Sequence, residues 1–91
     1  MPRVNLTRHL KRFFPAVSEV EEVEGATVRE VIAALNVKHP GIALYIVDET
    51  ERLRRHVNVF VGDAPICDRE TQSDRVPPDK DVWILQALSG G

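Results

Sequence analysis

The clearest strand in the sequence is His56-Val57-Asn58-Val59-Phe60-Val61. Three valines alternate with polar or aromatic residues, and side chains two residues apart point to the same face of a strand. The pattern predicts that the valines pack into a core and that Phe60 points to the opposite face. Gly62-Asp63 follows and is typical of a hairpin turn, after which residues 64–67 can pair briefly with the strand.

A helix is predicted upstream of that strand. Thr27 and Glu30 have the spacing of a capping box, in which the threonine hydroxyl accepts from the residue 30 N–H and the glutamate reaches back. The apolar residues that follow recur at i, i+3, i+4 and i+7, and they are Val28, Val31, Ile32 and Leu35. Such a stripe packs on one neighbouring layer, and Pro40-Gly41 ends the helix.

The N-terminal region predicts a β-hairpin. Apolar and polar residues alternate over residues 2–8, which indicates a first strand, and residues 18–23 form a short acidic second strand. We take Val20 and Val23 as the apolar points of that second strand. The run Ile42–Val47 fits a buried strand and a short helical turn equally well.

The C-terminal stretch reads as a strand that leads into a thin tail. Val82-Trp83-Ile84-Leu85 is rich in β-branched and aromatic residues and follows the turn-like residues 77–81. Ser89, Gly90 and Gly91 have almost no side chain, so we expect a domain over residues 1–88 and a flexible tail over 89–91 that can enter a narrow cleft. A Gly-Gly ending also arises by chance, so its meaning depends on the domain that carries it.

Composition narrows the class of protein. The chain has 91 residues, 43% hydrophobic and 29% charged, which suits a single globular domain. Its net charge of −2 gives little electrostatic support for nucleic-acid binding. One cysteine allows no internal disulfide, and no apolar run approaches the roughly 18 residues of a membrane span. We expect a cytoplasmic monomer that binds neither nucleic acid nor membrane.

The sequence gives the histidines, the cysteine and one basic cluster no clear functional pattern. The three histidines, His9, His39 and His56, lack the spacing of a metal site, so no metal is expected. Cys67 is interpreted as a small apolar filler. The basic cluster of residues 52–56 follows three acidic residues and is interpreted as a solvated turn.

The order of elements predicts an α+β domain, with one main helix packed on one face of a mixed sheet. Three stretches carry a resemblance to a known family: Glu24-Gly25-Ala26-Thr27-Val28, Leu53-Arg54-Arg55-His56-Val57-Asn58-Val59-Phe60-Val61-Gly62 and Leu88-Ser89-Gly90-Gly91. Together they resemble the MoaD/ThiS sulfur-carrier proteins over nearly the whole chain. The resemblance implies the ubiquitin-like β-grasp fold.

The resemblance also implies a carrier and not an enzyme. In that family an E1-like enzyme uses ATP to adenylate the C-terminal glycine, here Gly91, which becomes a thiocarboxylate. The thiocarboxylate then donates sulfur to an acceptor enzyme of molybdopterin, thiazole or cysteine biosynthesis or of tRNA thiolation. No cofactor is expected on the carrier itself. Two alternatives stay open: a ubiquitin-like modifier conjugated to lysines, and a β-grasp binding subunit whose diglycine is incidental.

A docking surface is predicted beside the tail. If Val82 and Ile84 point inward, Trp83 and Leu85 point outward on the same face as Phe60. We expect Phe60, Trp83, Leu85 and Leu88 to contact the activating and acceptor enzymes. The opposite register, or a cover formed by residues 42–47, would make Phe60 and Trp83 ordinary packing residues.

Overall fold

The computed structural model of the protein describes residues 2–7, 10 and 12–86. Its strands and helices, in chain order, are β1 (Arg3–Leu6), β2 (Val20–Glu22), α1 (Val28–Lys38), α2 (Ala43–Ile46), β3 (Val57–Val61), β4 (Ala64–Pro65) and β5 (Val82–Gln86). The two N-terminal strands are shorter than the sequence pattern predicts, since β1 ends at Leu6 and β2 spans three residues.

The strands form one mixed sheet in the order β2-β1-β5-β3-β4. The central pair, β1 and β5, is parallel, and the other neighbouring strands are antiparallel. This topology and the packed helix α1 make the domain an α+β ubiquitin-like β-grasp fold, as the sequence predicts. The last strand in the chain therefore lies in the middle of the sheet.

The core lies between α1 and one face of the sheet. The predicted helical stripe is buried, and it meets the inward residues of three strands, Val4, Leu6, Val57, Val59, Val82 and Ile84, all of them buried. At about 25 cal/mol per Å² of apolar surface, each fully buried Val or Ile contributes roughly 1.5–3 kcal/mol to folding. The inward register predicted for β3 and β5 is confirmed.

The entry of α1 is held by its own cap and by a distant loop. The Glu30 N–H donates to Thr27 Oγ1 at 3.2 Å, whereas the Glu30 carboxylate accepts from the Ala26 N–H at 2.8 Å, one residue earlier than in a standard capping box. The first helical N–H groups, those of Val28 and Arg29, donate to the carbonyls of Asp74 and Gln72. The polar loop after β4 thus satisfies donors that have no partner within the helix.

The ambiguous run after α1 forms a short helix. Residues 43–46 are helical as α2, and Val47 then makes an isolated bridge to Leu53. Ile42 and Ile46 are fully buried, whereas Leu44 between them is 61% exposed. A strand would place all three side chains on one face, so this pattern indicates a helix.

Two interpretations from the sequence are wrong. In β2, Val20 points to solvent and Glu21 is buried, because Glu21 pairs with Val4 on the core face. Cys67 is exposed and is therefore not an apolar filler.

Candidate functional site

The candidate site lies at the C-terminal end of β5. Gln86 is the last described residue of the chain, and it ends a strand that is flanked on both sides by β1 and β3. The tail residues Ser89, Gly90 and Gly91, together with Leu88, lie outside the described residues. Gly91 is the fifth residue after Gln86, so covalent geometry limits the reach from the Gln86 Cα to about 17 Å.

An apolar patch covers the face of the sheet that is opposite α1. Trp83 in β5 lies directly across from Phe60 in β3, and Phe60 lies across from Pro65 in β4. Trp83 and Leu85 are 42% and 40% exposed, and Phe60 is half-buried between its neighbours. We call Phe60, Pro65, Trp83 and Leu85 the apolar patch. Such an aromatic row on an open sheet is typical of a protein-binding surface.

Polar groups border the patch at the start of β5. Asn5 in β1 lies beside Trp83, and its Nδ2 is 3.4 Å from Asp81 Oδ2. Arg3 Nε lies 3.5 Å from the other oxygen of the same carboxylate. These contacts surround one end of the patch with hydrogen-bonded side chains, while the end at Leu85 leads towards the tail.

A groove lies on the other side of the sheet, at the same end of β5. Its lining consists of Leu44, Tyr45, Arg54, His56 and Gln86, and it encloses about 430 Å³. We call it the tail-side groove. Gln86 Oε1 is buried there and has no hydrogen-bond partner in the described part of the chain. The patch and the groove therefore flank the strand end from which the tail departs.

Comparison with known proteins agrees with this geometry. The model of the ThiS family matches residues 4–91. Among solved structures, a chain of the Amycolatopsis orientalis BexX/CysO complex is 30% identical over 100% of both chains, with a TM-score of 0.86. The chain belongs to the ThiS family.

Two further structures share the fold of this ThiS-family chain. CysO of Mycobacterium tuberculosis is 22% identical over 97% of this chain and 100% of its own, with a TM-score of 0.84. SAMP1 of Haloferax volcanii is 20% identical over 98% and 97%, with a TM-score of 0.74. No curated protein sequence matches the chain at a significant level.

The structure brings three of the predicted docking residues of this ThiS-family chain together. Phe60, Trp83 and Leu85 lie on one face, as predicted from their strands, and α2 packs against α1 instead of covering them. Sequence reasoning missed Pro65, although the Gly62-Asp63 turn places it next to Phe60. It also missed the groove, because Leu44 and Arg54 lie in separate segments that meet only on folding.

Two carboxylates of the ThiS-family chain have lowered pKa values because they accept hydrogen bonds within turns. Asp68 accepts hydrogen bonds from the side chains of Ser73 and Thr71 and from three backbone N–H groups, which together hold its pKa well below the usual range. Hydrogen bonds from Thr50 and the Arg52 N–H likewise lower the pKa of Asp48. Bonds within a turn explain both shifts, so neither carboxylate is a candidate for acid–base catalysis.

Metal binding finds no support in residues 2–7, 10 and 12–86, where no group of three or more His, Cys, Asp or Glu side chains could hold an ion. None of the helices described for this ThiS-family chain is long and apolar enough to span a lipid bilayer.

Proposed function

We propose that this ThiS-family protein carries sulfur as a thiocarboxylate on Gly91. The observation that supports the proposal most directly is the central position of β5, which displays Trp83 and Leu85 and then continues into a Ser-Gly-Gly ending. A partner that binds the apolar patch would hold a rigid body within about 17 Å of the terminal carboxyl group. Family membership supports the same chemistry.

The proposed reaction uses the tail as a substrate and not as a catalyst. An α-carboxyl group is ionised at neutral pH, so it can attack the α-phosphate of ATP in an adenylating enzyme and release pyrophosphate. A sulfide-level sulfur nucleophile then attacks the acyl carbon, and AMP leaves. The product is a thiocarboxylate that an acceptor enzyme can use as its sulfur source.

The proposed reaction explains why the last residues of the chain are small. Ser89, Gly90 and Gly91 add little bulk around the reacting carbon, and a glycine backbone can follow a narrow channel that a Cβ atom would block. A tail with few side chains also lets the channel fit closely around it, so that water is excluded during the reaction.

Intact-protein mass spectrometry tests the proposal. The full chain is incubated with an E1-like adenylating enzyme, ATP and sulfide, and we expect a mass increase that corresponds to replacement of one oxygen by sulfur. Gly90→Val should abolish the increase because its side chain obstructs the channel. Glu70→Val places the same valine side chain at an exposed turn, away from the tail in sequence, and should react normally.

Two outcomes would contradict the proposal. Normal thiocarboxylation of Gly90→Val would show that the tail is not threaded as described, and no reaction of the wild-type chain would favour a binding subunit. The structures named small archaeal modifier protein 1 share the fold at 20% identity or less, which does not carry conjugation to this chain. Gly91 found linked to lysine in cell extracts would establish the modifier function instead.

A further inference from the structure

The tail-side groove combines an apolar wall with a cation. Leu44 is largely exposed on one side, Tyr45 lies beside it, and Arg54 and His56 lie across from them. Within the described chain, the lining of this groove includes no Asp or Glu. A ligand that fits such a groove carries an apolar group and a negative charge close together.

The apolar wall is pre-organised. The ring of Tyr45 stacks on Phe13 with a centroid separation of 5.0 Å and meets the edge of Phe14 at 5.4 Å. Two aromatic neighbours fix the orientation of the tyrosine ring. A ligand that packs on Tyr45 therefore loses little affinity to ordering of this side chain.

The cation is pre-organised as well. Arg54 Nε donates to the Leu44 carbonyl at 2.7 Å, and the Arg54 N–H donates to the Ile46 carbonyl at 3.0 Å. Arg69 Nη2 holds the Arg54 carbonyl from the other side at 2.7 Å. These contacts leave the two Nη groups of Arg54 without a hydrogen bond or ion pair to any described residue, and that pair of donors matches a carboxylate.

The nearby carboxylates lie outside the lining of the tail-side groove. Asp48 and Glu49 line an adjoining depression, which also includes Arg54, Arg55 and His56. Beyond the hydrogen bond from Thr50, the positive charge of Arg54 is among the contacts that lower the pKa of Asp48. Asp48 Oδ1 already accepts from the backbone N–H groups of Thr50 and Arg52. The exposed Arg55 adds a further positive charge to that adjoining depression. Among the residues that line the tail-side groove itself, Arg54 therefore has no carboxylate beside it, which favours an anionic group there.

Position identifies the partner. Gln86 both lines the groove and ends β5, so an enzyme that receives the tail comes close to the groove. We infer that the tail-side groove binds a segment of the adenylating enzyme that presents a carboxylate next to an apolar side chain. This inference rests on the proposed function for the identity of the enzyme, but the chemistry of the groove can be tested without it.

The first test is an NMR titration at low salt, in which the peptide acetyl-Phe-Asp-Leu-Asp-amide is added to the ¹⁵N-labelled full chain. We expect weak, saturable shifts at residues 44–46, 54–57 and 86. The matched peptide acetyl-Phe-Asn-Leu-Asn-amide should bind several-fold more weakly, because it lacks the carboxylates. Equal binding of the two peptides, or shifts confined to other residues, would overturn the inference.

Variants separate Arg54 from general charge. Arg54→Gln should weaken binding of the acidic peptide by roughly fivefold to tenfold, whereas Arg54→Lys keeps the charge and should lose less. Arg52→Gln removes the same charge two residues away, from an exposed side chain that does not line the groove, and should leave the affinity unchanged. Equal losses in Arg54→Gln and Arg52→Gln would contradict a specific site.

Other occupants of the groove give distinct results. If the tail of this chain filled it, Leu88→Ser would tighten peptide binding; we expect no change. If a second copy filled it, the same resonances would shift with protein concentration before peptide is added; we expect concentration-independent spectra. Either of these effects would overturn the assignment of the groove to the enzyme.

The enzyme assay tests the partner. In thiocarboxylation by the adenylating enzyme, Arg54→Gln should raise KM for the carrier by roughly fivefold and leave kcat unchanged, because the inference gives Arg54 a role in binding and none in the chemical step. An unchanged KM would overturn the inference and leave the proposed function intact. If the wild-type chain does not react at all, the proposed function fails, and the peptide titration still decides whether the groove binds carboxylates.

Discussion

Glu21 is a buried acid that contacts Ser18 and two residues at the C-terminal end of α1. Its side chain is 3% exposed, and Lys38 Nζ lies 2.8 Å from Oε1 while the Ser18 N–H donates to Oε2 at 2.6 Å. His39 Nε2 lies 3.2 Å from Oε2 without a well-aligned hydrogen bond. Burial raises the pKa of Glu21, but the contacts with Lys38, Ser18 and His39 outweigh it and hold the pKa below its ordinary value of 4.5.

Glu21→Gln should therefore lower the free energy of unfolding at neutral pH by about 1–2 kcal/mol. The loss is smaller than for a fully buried pair because Lys38 is half exposed and water can solvate its charge. Urea unfolding measures the change, and Glu22→Gln, on the same strand but exposed, should change stability by less than about 0.5 kcal/mol.

The same pair of proteins gives a pH prediction. Glu21 is still ionised in the folded chain at a pH where the unfolded chain has already taken up a proton, so the unfolded state binds more protons. The stability advantage of the wild-type chain over Glu21→Gln should be complete above pH 4.5 and shrink as the pH falls below that value. An advantage that grows on acidification would contradict the lowered pKa.

At the scale of the element, the entry of α1 depends on a close approach of two backbones. A Cβ atom at Gly25 would lie 2.7 Å from the backbone nitrogen of Val31 and 2.8 Å from Val31 Cγ2. Close packing against Val31 therefore explains why residue 25 is a glycine. In the sequence alone, a glycine before the capping threonine indicates only a boundary between elements.

Gly25→Ala should destabilise the domain by about 1–3 kcal/mol, since the added methyl group meets backbone that cannot move without shifting α1. Thermal unfolding followed by far-UV circular dichroism measures the change. Ala26→Ser is the control because it enlarges an exposed neighbouring side chain, and a loss there as large as in Gly25→Ala would argue against the contact with Val31.

At the scale of the whole molecule, the sheet separates two surfaces that meet at one strand end. The apolar patch and the tail-side groove lie on opposite faces, and both reach the end of β5. A partner enzyme can therefore hold the domain on both sides of the strand that leads to Gly91. This arrangement gives the tail a fixed starting point and reduces the search for the reactive geometry.

Trp83→Gln tests the patch. We expect kcat/KM for thiocarboxylation to fall by at least tenfold, because a tryptophan in the centre of an interface is commonly worth about 2 kcal/mol or more. The free energy of unfolding should change by less than about 1 kcal/mol, since Trp83 is 42% exposed. Val37→Ser changes an exposed apolar residue on α1 and should leave activation unaltered; an equal fall there would argue against the patch.

Local patterns were enough to predict much of this domain. The capped helix, the inward valines of β3 and the outward Trp83 and Leu85 follow from 3.6-residue and two-residue periods, which depend only on neighbours along the chain. Membership of the ThiS family could also be predicted from the sequence, because the residues that resemble the family lie in contiguous stretches. The role of the tail residues 89–91 stays a prediction.

Tertiary structure decided what depends on distant partners. Glu21 can be buried because Lys38, seventeen residues later, pairs with its carboxylate. Residues 43–46 are helical, so that Ile42 and Ile46 reach the core while Leu44 stays exposed. The groove forms because folding brings Arg54 to the Leu44 carbonyl and Tyr45 to Phe13 and Phe14. The sequence by itself determined the periodic elements and the chemistry of the ending, whereas burial of charge and convergence of side chains required the folded chain, since both are properties of three-dimensional neighbours.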